Sequence, residues 1–289
     1  MALIYNATFD KNTRNLSFED KAGNEIYSFI VPEREKDDIK KPLTFRATQD
    51  GSTVKLIKSG SIYSRFQTSR DGGNTWADYT LDSAITLNTG DEVSFRVSSY
   101  SKPSYNKNYA FKMTGKIEAW HNVMSMLRTN DFATYNAMVE HEFEFMFSGC
   151  QSLTKAPILP ATRLAQNCYY AMFSGCRSLT KAPELPATYL PQHCYTRMFQ
   201  DCRSLTKAPE LPATTLPDYC YYRMFENCQS LKEVRVSATT TATDALTDWL
   251  KNVSATGDFY CDPNATIFPS GVSGIPSGWT RRNIADYPN

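Results

Sequence analysis

Over the first 118 residues, apolar and polar positions alternate in short runs. LTFRA, TVKLI, SRFQTS, WADYT and EVSFRV place apolar side chains at roughly every second position, the period of a half-buried strand. The clusters QDGS, RDGGN and LNTGD divide them with turn-forming residues. Upstream, strands are predicted over 3–9, 16–19 and 25–31, with turns at 10–12 and 21–24. They make a small hairpin unit at 1–40, and the polar stretch PEREKDDIKKP at 32–42 reads as a linker. With a closing strand over 109–117, residues 41–118 predict an antiparallel β-sandwich of immunoglobulin-like size.

The period then changes. Trp120, Val123, Met124, Leu127, Met138 and Phe143 are spaced as one or two helical pieces over 119–145, a natural N-terminal cap for a repeat array. Met146-Phe147, Met172-Phe173, Met198-Phe199 and Met224-Phe225 recur at a fixed step of 26 residues, and CRSLTKAPELPAT occurs identically at 176–188 and 202–214. Such a period predicts a solenoid over 146–236. Each unit reads as a short helix (CYYAMFSGC), a strand (SLTKAP) and a return loop whose prolines stop any helix. Leu153, Leu179, Leu205 and Leu231 are the inward ladder, with the Met-Phe pairs opposite. The pattern breaks after Val236, and 237–289 predicts a C-terminal cap: a helix carrying Ala245, Leu246, Trp249, Leu250 and Val253, then strands at FYCD and GWTRR. The fold class expected is α+β, a β-sandwich followed by a short α/β leucine-rich-repeat solenoid with helical caps.

Cysteine usage follows the repeat. Cys150, Cys176, Cys202 and Cys228 form one series, and Cys168, Cys194 and Cys220 a second, preceded by Glu142. A small apolar residue at one repeat position suits a buried ladder of reduced thiols; disulfides are the alternative, and a spacing of eight within each unit does not fit zinc-binding patterns. With 31 basic and 30 acidic residues and no basic block, nothing points to nucleic acid. No apolar run is long enough to span a bilayer. The N-terminal stretch reads as a strand and not as a signal peptide.

FSGCRSLTKAPELPAT resembles the BspA-like (treponemal-type) leucine-rich repeats, through Phe173, Cys176, Ser178, Leu179, Thr180 and Pro183. The resemblance covers about 143–236, and the upstream β region is similar to the domain paired with such repeats in proteins of gut Bacteroidetes and their phages. It implies a non-catalytic solenoid with adhesion-type binding and no cofactor. The expected setting is a phage virion component, a head or tail fibre or decoration protein. Residues 1–40 would contact capsid or tail proteins, the solenoid would face a host glycan or protein, and the chain would form a dimer or trimer. A secreted bacterial surface adhesin and an accessory glycan-binding protein are the alternatives.

Candidate chemistry is sparse. Ser69, Asp71, Gly73, Thr75 and Trp76 fit an Asp-box pattern, read as a structural hairpin turn because one copy cannot build a propeller. His121, His141 and His193 lack metal spacing, and no nucleophile or phosphate-binding motif is present. Surface candidates for binding are a lysine row, Lys155, Lys181 and Lys207, which Glu184 and Glu210 partly offset. Positions that vary between copies form the other set: Arg163, Tyr189 and Thr215; Gln166, Gln192 and Asp218; and Asn167, His193 and Tyr219.

Overall fold

A computed structural model describes residues 6–9, 15–19, 21–22, 25–30, 38–60, 63–104 and 108–287. The chain divides into two compact units, 1–36 and 37–289. In the first, β1 (Asn6–Phe9), β2 (Asn15–Glu19) and β3 (Glu25–Ile30) form an antiparallel sheet in chain order. The turn expected at 10–12 and most of the linker expected at 32–42 lie outside the described residues.

The second unit begins with strands β4 (Thr44–Ala47), β5 (Ser52–Lys58), β6 (Arg65–Ser69), β7 (Ala77–Tyr79), β8 (Ile85–Leu87) and β9 (Glu92–Ser99). The strand expected over 109–117 is two, β10 (Tyr109–Thr114) and β11 (Ile117–Trp120). They are divided at Gly115, whose φ of 77° and close approach to Ser52 leave no room for a Cβ. The strands make a three-stranded sheet, β10-β5-β8, and a six-stranded one, β12-β11-β4-β9-β6-β7. Here β12 (Leu153–Lys155) belongs to the first repeat and pairs in parallel with β11. The expected freestanding sandwich is therefore not what forms. Its larger sheet runs on into the solenoid, and one buried core spans both, with Phe45, Phe95 and Phe111 meeting edge to face and Phe111 stacking on Phe147 at 5.4 Å.

Beyond β12 the chain winds as a β-solenoid. On one side are β13 (Lys207–Leu211), β15 (Glu233–Val236), β17 (Gly257–Cys261) and β18 (Trp279–Asn283), parallel in that order, with β14 (Thr215–Leu216) beside β16 (Thr240–Thr241). The predicted repeat helices are absent. In each Met-Phe segment the backbone alternates. Amides of Tyr170, Met172, Ser174 and Cys176 close local turns three residues back, while those of Tyr169, Ala171, Phe173 and Gly175 reach the next coil, bonding to Cys194, Thr196, Met198 and Gln200 at 2.7–3.0 Å. Half the amides thus point out of the segment, which an α-helix does not allow. The geometry needs left-handed residues at intervals of four, supplied at Asn167, Ala171 and Gly175, and again at His193, Arg197 and Asp201.

The helical caps are likewise absent. Over 119–145 only a 3-10 turn forms, Val123–Met126, where the Asn122 side chain accepts from the Met124 amide. His121, His141, Phe143 and Phe145 all have positive φ, which breaks the helical run. At the other end Asp248 and Asn252 interrupt the predicted helix in the same way, and its apolar residues form another coil: Phe225 donates to Trp249 at 2.9 Å. The strands expected at FYCD and GWTRR are β17 and β18.

Phenylalanine rings 147, 173, 199 and 225 stack at 5.3–5.7 Å within 5° of parallel. Tyr169 and Tyr195 add a second buried column at 5.9 Å. All eight cysteines are buried and unpaired by disulfides. Burial pushes the thiols of Cys150, Cys168 and Cys220 up to about 12.

Candidate functional site

The side of the solenoid that carries the KAPELPAT segments holds two neighbouring grooves. The larger, about 740 Å³, lies along 180–186 and 206–212; the smaller, about 430 Å³, lies along 155–160 and 181–186. Their walls are proline and alanine with leucine, isoleucine and threonine, and their charged lining residues are lysine and glutamate. The lysine row identified in the sequence lines them: Lys155 and Lys181 the smaller, Lys181 and Lys207 the larger.

Segment 180–192 runs between the grooves and differs from its neighbours. None of its amides donates a hydrogen bond and none of its carbonyls accepts one from another described residue. The preceding coil turns its hydrogen bonds away, toward the N-terminal region, as in Ile158 to His121 at 2.7 Å. The following coil bonds forward, through β13 to β15. Yet 181–188 and 207–214 have the same sequence. Two causes separate them. Prolines 183, 186, 209 and 212 remove donors from both sides of the 180–192 junction, whereas Glu233–Val236 contains none. Charge is the other. Across β13 and β15, Lys207 faces Glu233 at 2.8 Å and Glu210 faces Arg235 at 3.2 Å. One coil earlier the repeat register matches Lys181 with Lys207 and Glu184 with Glu210, like charges where the later junction has opposite ones.

The three lysines consequently differ. Lys155 lies over the Trp120 ring, 3.4 Å from its centroid. Lys207 is engaged by Glu233 and lies 4.7 Å from the Tyr287 ring; the hydrogen bond to Glu233 raises its pKa. Burial pushes Glu233 up, but hydrogen bonds from Lys207 and Tyr287 outweigh it and leave the carboxyl below its usual value. Lys181 and Glu184 are exposed and have no ion-pair partner among the described residues.

The variable positions fall elsewhere. His193 and Tyr219 stack at 4.8 Å and 2°, both at φ 58°. The Gln192 side chain reaches Asp218 at 3.5 Å, and the His193 amide donates to the Asp218 carbonyl at 3.3 Å. Burial lowers the His193 pKa, with Asp218 opposing. These four residues are brought together. Tyr189 stands 78% exposed, Thr215 bonds Thr240 at 3.0 Å, and Arg163 and Gln166 are tied through their carbonyls to Met138 and His141.

The Asp-box residues close one hairpin. Asp71 accepts from the Thr75 amide at 2.9 Å and from the Ser69 and Thr75 hydroxyls at 2.6 Å, which hold its carboxyl well below the usual range. Gly73 donates to Ser69 Oγ at 2.8 Å, and Trp76 Nε1 donates back to the Gly73 carbonyl. The Arg96 guanidinium covers the Trp76 ring at 4.2 Å. The polar side chains of the box are thus engaged within the turn itself. Among the described residues no cluster of His, Cys, Asp and Glu is placed to hold a metal, and no helix is long and apolar enough to cross a membrane.

Sequence reasoning missed the prolines as groove walls, since a proline in a repeat signals first a helix stop, and missed Tyr287 altogether. The signal available was the sign reversal from Lys-x-x-Glu in the repeats to Glu-x-Arg at 233–235. No protein-family model, curated protein or solved structure matches the chain.

Proposed function

We propose that this is a non-catalytic recognition protein whose solenoid offers its proline-lined face to a ligand. The observation that carries the reading is the 180–192 coil: an ordered, two-grooved surface where main-chain groups, a lysine and a glutamate are all left without partners among the described residues. Polar groups concentrated in a concave apolar setting are what fixes a ligand's orientation. Repeats of identical sequence give the ligand an extended track. The setting proposed, from the resemblance of the repeats and the β region, is a virion fibre or decoration protein. Residues 1–40 would meet capsid or tail proteins, the chain would be a homo-oligomer, and a host surface would carry the ligand.

Fluorescently labelled full-length protein added to a panel of gut Bacteroidetes cells tests the recognition reading. Saturable binding that Lys181→Glu weakens supports it; binding to no strain defeats it. Mass spectrometry of purified phage particles tests the setting separately, and absence of the chain from particles made in cells that produce it removes the virion assignment.

A further inference from the structure

The chain itself places an aromatic side chain on this face. After β18 the segment Ile284–Asp286 makes one 3-10 turn and leads to Tyr287. The Tyr287 ring meets Tyr260 of β17 edge to face at 4.8 Å, and its hydroxyl donates to Glu233 of β15 at 2.6 Å. Lys207 Nζ and the Arg235 guanidinium each lie 4.7 Å from the ring centroid. A peptide segment thus crosses the coils, seating a tyrosine on cations with its hydroxyl on a carboxylate, and reaches the wall of the larger groove.

One coil back the groove offers groups of the same chemical types in a different register, without an occupant from the described residues: where the seat has Glu233 and Arg235, that coil has Lys207 and Glu210. Lys181 supplies the cation, Glu184 the carboxylate, and Pro183, Pro186, Pro209 and Pro212 the apolar walls. We infer that the larger groove binds an extended peptide of a partner protein that presents a tyrosine, its ring against the prolines and Lys181 and its hydroxyl toward Glu184. This inference rests on the recognition reading above and names its ligand class. Three features favour a peptide over a glycan. Proline and alanine walls leave sugar hydroxyls unsatisfied, which is costly. The larger groove's lining has no aromatic plane for a sugar ring apart from the engaged Tyr287. The unpaired amides and carbonyls of 180–192 match those of another main chain.

The test titrates the full-length protein with a fluorescein-labelled synthetic peptide copying Asn283–Tyr287, with versions carrying Phe or Ala in place of the tyrosine, and with a neutral and an anionic linear oligosaccharide. The expected result is saturable binding of the tyrosine peptide. The alanine peptide and the Lys181→Glu protein each bind about fivefold or more weakly, the scale of a lost cation–aromatic contact. Glu184→Gln weakens the tyrosine peptide and leaves the phenylalanine peptide unchanged. Melting of both variants no lower than that of the wild type shows that the fold is intact. Peptide binding indifferent to Lys181→Glu overturns the inference. Oligosaccharide binding that Lys181→Glu weakens, with no peptide binding, overturns the ligand class while leaving the recognition reading standing. Wild-type binding to neither probe overturns the inference, and the cell-binding assay then judges the broader reading independently. Self-association in sedimentation that Lys181→Glu abolishes replaces the partner protein with a second copy.

Discussion

The thiol of Cys176 donates a hydrogen bond to the main-chain carbonyl of Phe147, 3.2 Å away in the preceding coil. That carbonyl already accepts the Cys150 amide at 3.0 Å, so the thiol takes up its second lone pair. The same relationship joins Cys202 to Phe173 and Cys228 to Phe199, and it begins at Cys150, whose acceptor is Phe111 of β10. Cysteine here is a small apolar residue with a weak donor, which suits a site too tight for anything larger. Cys176→Ala should cost about 1–2 kcal/mol in chemical denaturation, from lost packing and one orphaned acceptor site. Burial holds these thiols in the protonated form, so native protein at pH 8 should resist a thiol reagent until denaturant exposes all eight.

Phe111 occupies the place of a repeat phenylalanine in a coil that the sequence does not repeat. It stacks on Phe147 at 5.4 Å, its amide donates to Met146 at 2.7 Å, and its carbonyl takes the Cys150 thiol. The β region is thereby the solenoid's N-terminal cap. Phe111→Ala should cost about 3–5 kcal/mol, and the loss should appear in one transition spanning both parts. Two separated transitions, with the solenoid unmoved, would falsify the shared core.

The strands of the β region and the 26-residue winding were legible because alternation and period follow directly from which side chains face inward. The repeat helices were misread because Met-Phe-x-x-Cys puts apolar residues at spacings that a helix and a chain of left-handed turns both satisfy. The discriminating residues were present: Gly149, Gly175, Asp201 and Asn227 recur at one repeat position, all types that tolerate positive φ, and all four adopt it. The grooves were half legible. The lysines' place along one face followed from the period, but the unpaired coil depends on what each strand meets across the stack.

That backbone reading predicts opposite outcomes at two nearby positions. Gly175 has φ 75°, and a Cβ there would make only ordinary contact with Gly149 at 3.6 Å. Gly175→Ala should therefore cost about 1 kcal/mol from conformation alone. Ala171 has φ 49° and already bears that strain, so Ala171→Gly should be neutral or stabilising by up to about 1 kcal/mol. In a helix Ala171→Gly would instead destabilise, so paired melting curves separate the two backbones.

Glu142 stands where later repeats have cysteine, and it is 2% exposed. It accepts from the Val139 amide at 2.7 Å and from the Tyr100 hydroxyl, but burial dominates and raises its pKa. A carboxyl raised on folding contributes stability that is full below its unfolded value, near 4.5, and is lost as pH rises through the folded value. Glu142→Gln should thus stabilise at pH 7 by on the order of 1 kcal/mol, with the advantage shrinking toward pH 4. The glutamine oxygen can keep the Val139 bond while its amide donates to the Tyr100 hydroxyl. Denaturation of both proteins across this range checks the sign; an advantage that grows on acidification would refute it.

The charge pattern across the coils can be completed by design. Lys207 with Glu233 and Glu210 with Arg235 join β13 to β15, while by repeat register the coil before it matches lysine with lysine and glutamate with glutamate. Reversing that coil with Lys181→Glu and Glu184→Arg together should place opposite charges across the open junction. The expected gain is about 0.5–1 kcal/mol, falling in 1 M salt because both pairs are exposed. The prolines remain, so no ladder should form: the amides of 180–190 should still exchange with solvent faster than their copies in β13. If exchange there slows to match β13, charge alone had kept the coil unpaired. A gain that survives 1 M salt would show that repulsion between the lysines was not what the reversal relieved.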